Sequence, residues 1–103
     1  MRIEWTDPAI ADLEAIRDYI ARDSEYYGAQ FVGRIIDAVE KLPRFPEMGR
    51  RVPEARSEID VRELIFQNYR IIYRLKADKI QIITVLHGSR NLRGMKPKPW
   101  EVV

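Results

Sequence analysis

Polar and apolar residues alternate through Arg2-Ile3-Glu4-Trp5, as in a short strand with one buried face. From there the period lengthens. Ala9, Leu13, Ile16 and Ile20 recur at helical spacing, while Asp12, Arg17 and Asp18 fall on other faces. Asp7 and Pro8 suit an N-cap and a first helical residue, so the pattern predicts a helix from Pro8 to Arg22. Ser24 can cap a second helix whose stripe of Tyr27, Phe31, Ile35, Val39 and Leu42 is stopped by Pro43. Tyr27 and Phe31 are expected in the core. The junction is too short for anything but an antiparallel hairpin of helices.

Residues 43–59 hold three prolines, Gly49 and four arginines, a connection longer than compact domains usually carry, which suits a functional loop or a mobile tether and equally a surface loop with solvated arginines. A three-stranded antiparallel meander follows. Its first strand, Val61 to Phe66, has an ambiguous inward face. In Tyr69 to Lys76 the odd positions Tyr69, Ile71, Tyr73 and Leu75 read as core, and the even positions Arg70, Ile72, Arg74 and Lys76 as a cationic face. After a tight turn at Ala77-Asp78, the run Lys79 to His87 is apolar on both faces, as a central strand would be. The tail from Gly88 to Val103 is expected to lie irregularly over the sheet, with Trp100 as a plug at its edge. The fold class that follows is α+β: one domain over residues 1–103, ordered β-α-α-β-β-β, an antiparallel sheet with the N-terminal α-helical hairpin packed on one face.

Composition narrows the chemistry. With 46% hydrophobic and 33% charged residues, the sequence is that of a globular domain. There is no cysteine and only one histidine, which removes thiolate nucleophiles and most metal centres, so neither cofactor nor metal is expected. No apolar run approaches a membrane span, and Met1-Arg2-Ile3-Glu4 begins no signal peptide, so a cytoplasmic protein without membrane contact is expected. The net charge of +2 conceals a split: residues 1–43 carry five Lys/Arg against nine Asp/Glu, and residues 44–103 carry thirteen against seven. Such asymmetry suits an oriented encounter with an anionic partner, and equally a dispersed surface charge.

The order of elements is accompanied by Phe45-Pro46-Glu47-Met48-Gly49, Arg62-Glu63-Leu64, Tyr69-Arg70-Ile71-Ile72-Tyr73-Arg74 and Val85-Leu86-His87-Gly88-Ser89-Arg90-Asn91-Leu92. Together they resemble the RelE/ParE superfamily of bacterial toxins over nearly the whole chain. The resemblance implies the toxin of a type II toxin-antitoxin pair, with either of two targets: one branch cuts mRNA on the ribosome, the other poisons DNA gyrase.

RNA cleavage needs an acid, a base and cations for the developing charge. By resemblance, Arg70 and Arg90 match arginines of RelE-type nucleases and would clamp phosphate oxygens. The lysines of that branch fall here at Val61 and Glu63, and no tyrosine follows Tyr73. His87 is then the candidate acid or base, since histidine ordinarily titrates near neutrality, and Glu63 the remaining candidate base. The ending Val85-Leu86-His87-x-Ser89-x-Asn91 is more similar to ParE proteins. The expected function is therefore gyrase inhibition by binding, leaning away from an enzyme. The alternative is a ribosome-dependent endoribonuclease using Arg70, Arg90 and His87.

Candidate target-binding residues are Arg70, Arg74, His87, Arg90 and Arg93. Candidate antitoxin-binding residues are Leu13, Arg17, Ile20, Arg62 and Arg74. The implied antitoxin is small and partly disordered, DNA-binding through its own N-terminal domain. It would lay an amphipathic helix along the α-hairpin and bring acidic residues to the sheet arginines, in a hetero-oligomer. Each residue also has a structural reading. Arg70 and Arg74 can pair with Glu63 or Asp60 across the meander, His87 can bond a neighbouring carbonyl, and Arg90 can bond carbonyls of the tail.

Overall fold

The structure, a computed structural model, describes residues 1–103. Strand β1 (Arg2–Trp5) leads into α1 (Asp7–Ala21) and α2 (Glu25–Val39); β2 (Arg50–Arg51), β3 (Val61–Phe66), β4 (Tyr69–Leu75) and β5 (Lys79–His87) follow, and a single 3₁₀ turn, Pro99–Glu101, lies in the tail. Thr6, not Asp7, is the N-cap of α1. Its hydroxyl oxygen accepts from the Ala9 amide at 3.3 Å and donates to the Ile82 carbonyl at 2.8 Å, so one side chain both starts the helix and ties it to β5. Ser24 caps α2 as expected, accepting from the Tyr27 amide. Gly28 is buried where the helices meet: a Cβ there would lie 2.8 Å from the Arg17 carbonyl oxygen, so only glycine permits this approach.

The sheet has the order β1-β5-β4-β3-β2. The meander β3-β4-β5 is antiparallel, as predicted. β1 joins it in parallel beside β5, Ile3 opposite Ile80, which makes the sheet mixed and places β5 in its interior. β2 is a two-residue edge strand from within the long loop, pairing Arg50 with Glu63 and Arg51 with Arg62. A bulge leaves Ile83 unpaired between Thr84, opposite Ile72, and Ile82, opposite Tyr73. Asp12 of α1 steadies this irregularity by accepting from the Thr84 hydroxyl at 2.6 Å and the Val85 amide at 2.9 Å.

Both faces of the sheet are covered. On the helical side Ala9, Leu13, Ile16, Ile35, Val39 and Leu42 close over Ile71, Tyr73, Ile80, Ile82 and Val85. On the other side Val52 from the long loop and Leu92 and Trp100 from the tail close over Val61, Ile72, Ile83 and Leu86. Trp100 is buried as expected, but it covers the second face of the sheet and not its edge. The face anticipated as cationic is instead a second apolar core, because Ile72 at its centre demands cover and the loop and tail supply it. Tyr27 departs from expectation too: it is 61% exposed, while Phe31 is half-buried against Phe66 and Tyr69. The close approach at Gly28 makes the next position, not Tyr27, the contact with α1.

Tyr73 does more than fill the core. Its hydroxyl, fully buried with the ring, donates to the Pro46 carbonyl and accepts from the Gly49 amide, each at 2.9 Å. Burial pushes its phenol up from the ordinary value, with the Gly49 bond opposing. The Phe45–Gly49 turn is held rigidly to β4 by that group.

Candidate functional site

At the start of β4, Arg70 lies on the second face of the sheet, in register with Ile65 and diagonal to Glu63. Its Nε donates to Glu63 Oε1, and its two Nη atoms donate to the two oxygens of Glu54 at 3.2 and 2.9 Å. The second oxygen of Glu63 accepts from Arg50 Nε at 2.7 Å. Four side chains therefore alternate in sign, Arg50, Glu63, Arg70, Glu54, and the Glu63 side chain is 0% exposed. Paired bonds to Arg70 hold the Glu54 carboxyl below the ordinary carboxylate value; burial opposes this, and nearby Arg93 adds to it. The same Glu54 bonds push the Arg70 guanidinium upwards. A concavity of about 420 Å³ opens over this chain, lined among others by Arg50, Glu54, Gln67, Arg70, His87 and Ser89.

Every guanidinium nitrogen of Arg70 already meets a carboxylate, so a phosphate there would compete with Glu54. The expected pairing with Glu63 is present, and the guanidinium read from sequence as a target-binding or clamping cation is engaged internally. His87, at the end of β5, is exposed on the rim. Its Nδ1 accepts from the Ser89 amide at 3.1 Å and lies 2.7 Å from the Ser89 hydroxyl, which places the proton of the neutral ring on Nε2. The expected carbonyl partner is replaced by the two Ser89 groups. The ring also stands edge-on to Tyr69, centroids 5.4 Å apart.

Arg90 and Arg93 are exposed in the tail. The carbonyl bonding expected of Arg90 falls to Lys98, whose ammonium donates to the carbonyls of Arg93 and Met95 at 2.8 and 2.9 Å. Arg74 lies four residues along β4 from Arg70, half-exposed beside Arg56 and Trp100. The target set is therefore not one surface: Arg90, Arg93 and His87 lie beyond the end of β5, Arg70 is enclosed, and Arg74 stands apart. Nor do the antitoxin candidates converge. Leu13 is core, and Arg62, on the helical face opposite Tyr73, is spent on Asp60 at 2.8 Å and the Gly49 carbonyl at 3.0 Å. Only Arg17 and Ile20 remain on the hairpin surface.

The family model for the ParE toxin of type II toxin-antitoxin systems matches residues 3–92. The chain belongs to the ParE toxin family. Within the wider RelE/ParE superfamily, it is 30% identical over 89 residues to toxin RelE2 of Caulobacter vibrioides, covering 86% of this chain and 97% of that one. Its fold is similar to the chromosomal ParDE system of P. aeruginosa, with TM-score 0.72 and 27% identity, covering 84% of this chain and 95% of the other. It also superposes on the RelBE2 toxin-antitoxin complex of Mycobacterium tuberculosis with TM-score 0.59, 20% identity and the same coverages, a likeness of fold alone.

As a ParE-family toxin the chain gathers no group of three His, Asp or Glu side chains able to hold a metal ion, and none of its helices is long and apolar enough to cross a membrane. Sequence reasoning missed three members of the site: Glu54, Arg50 and Ser89. Glu54 sits sixteen residues from its partner with no periodic signal to link them. The Glu63–Arg70 diagonal was legible, because the two-residue turn at Gln67-Asn68 sets the register once it is recognised.

Proposed function

We propose that this toxin stops growth by binding DNA gyrase, without catalysis, in the cytoplasm, and that a cognate antitoxin encoded with it neutralises it. The observation that carries this reading is the closed chain Arg50-Glu63-Arg70-Glu54. It commits to internal pairing Arg70, one of the two candidate clamps, and Glu63, one of the two candidate bases, for phosphodiester cleavage. What remains is shape and charge, which suit recognition. The antitoxin's amphipathic segment fits the shallow groove on the hairpin between Ile20, Tyr27 and Phe31, edged by Gln30 and Arg34. Purified toxin should block supercoiling by gyrase and leave mRNA intact in a reconstituted translation reaction. Normal supercoiling at saturating toxin would overturn the proposal.

A second reading is favoured by one feature, the exposed His87 with its Nε2 proton available beside the concavity. A ribosome-dependent endonuclease built on His87 and Arg90 predicts cuts in the ribosomal A site that vanish in His87→Ala. Uncut message removes that reading.

A further inference from the structure

From Lys79 to Trp100 the chain carries no Asp or Glu, and within this stretch the tail holds Arg90, Arg93, Lys96 and Lys98. The structure makes the tail a fixed object. Hydrogen bonds from Arg90 N to His87 O, Gly94 N to Asn91 O and Met95 N to Leu92 O fold it into successive turns. Leu92, 1% exposed, and Trp100, 5% exposed, pin it into the second core, with Met95 packed beside them. Lys98 is consumed in holding the turn through the carbonyls of Arg93 and Met95. Arg90, Arg93 and Lys96 are left exposed, their side chains without hydrogen-bond partners, and Arg93 is near enough to Glu54 to favour its ionised form. Arg93, Lys96 and Lys98 lie beyond the stretch matched by the family model.

We infer that this ridge, Arg90-Arg93-Lys96, is a contact surface for the phosphate backbone of duplex DNA. Cations spaced along a tail anchored by Leu92 and Trp100 neutralise phosphates at little ordering cost, since the turns are already formed. A single strand is disfavoured: recognising unstacked bases calls for exposed aromatic rings, and the one ring in the tail, Trp100, is buried. The contact is assigned to phosphates: Asn91, the one side-chain amide among these cations, is turned back onto the Gly94 amide at 3.3 Å. It deepens the gyrase reading by adding the enzyme's own DNA as a second attachment, yet it is measured without gyrase.

The experiment is fluorescence anisotropy of a labelled duplex titrated with full-length toxin at several salt concentrations. Three phosphate contacts give a slope of log K against log salt of about −2.7, so raising salt from 50 to 200 mM weakens binding by about 40-fold. The triple variant Arg90→Gln/Arg93→Gln/Lys96→Gln should lose binding and flatten the slope, its far-ultraviolet circular dichroism and melting temperature unchanged. The variant Arg2→Gln/Arg22→Gln/Lys41→Gln, which removes equal charge away from the tail, should keep wild-type affinity. Equal losses in both variants, tighter binding to single-stranded RNA than to duplex, or no binding at 50 mM salt would overturn the inference. Toxin that inhibits gyrase but ignores free duplex overturns only the ridge. Toxin that binds duplex but leaves gyrase untouched supports the ridge and overturns the target.

Discussion

Replacing Arg70 by Ala separates a structural strut from a phosphate clamp. The substitution leaves Glu63, whose side chain is 0% exposed, with Arg50 as its one remaining partner, and frees Glu54, whose side chain is only 15% exposed, from both of its bonds to the guanidinium. Breaking a buried pair by removing one partner costs about 3–5 kcal/mol. Because Arg50 continues to compensate Glu63, the lower end applies, about 3 kcal/mol. At roughly 4–8 °C per kcal/mol for a domain of this size, the melting temperature should fall by roughly 12–24 °C. Circular dichroism melts of wild type, Arg70→Ala, Glu54→Ala and the double variant give the test as a thermodynamic cycle. The double variant should be less unstable than the sum of the singles, by more than about 1 kcal/mol. If Arg70→Ala melts within a degree or two of wild type, the network does not hold the fold and Arg70 is open to a role as a phosphate clamp.

Tyr73→Phe should cost about 1–3 kcal/mol in urea denaturation, since the buried Gly49 amide and Pro46 carbonyl both lose their partner. Gly28→Ala should destabilise by about 1–3 kcal/mol through a methyl group driven against the Arg17 carbonyl, read from the same denaturation curves. Glu54 has a depressed carboxyl in the folded state, so its contribution is present above its ordinary value near 4.5 and lost as pH falls through the depressed one. Melting temperature should therefore drop more steeply below pH 4.5 in wild type than in Glu54→Gln, and parallel curves would remove the linkage.

Local signals carried most of the architecture. The Ser24 cap, the helical periods from Ala9 and Tyr27, the meander and the burial of Trp100 follow from short-range pattern and propensity, which act over a few residues. What sequence could not reveal depends on contacts between distant segments. Alternation in β4 marked Arg70, Ile72 and Arg74 as one polar face, yet alternation says nothing of what lies opposite. There the long loop brings Val52 onto Ile72 and Glu54 onto Arg70. The parallel pairing of β1 with β5 joins residues more than seventy positions apart, and the Thr6 cap was hidden because its second partner, Ile82, is equally remote. The candidate site was half legible: its residue types were visible, but their mutual neutralisation was not.

The proposed action on gyrase, as a ligand and not as a catalyst, is distinguished by the stoichiometry of inhibition. Supercoiling by a known concentration of gyrase is titrated with toxin, and purified antitoxin is then added. Binding predicts inhibition that saturates near equimolar toxin and gyrase and is reversed by equimolar antitoxin. Growth-arresting toxin that leaves supercoiling intact at excess while cleaving many messages per molecule would contradict the account.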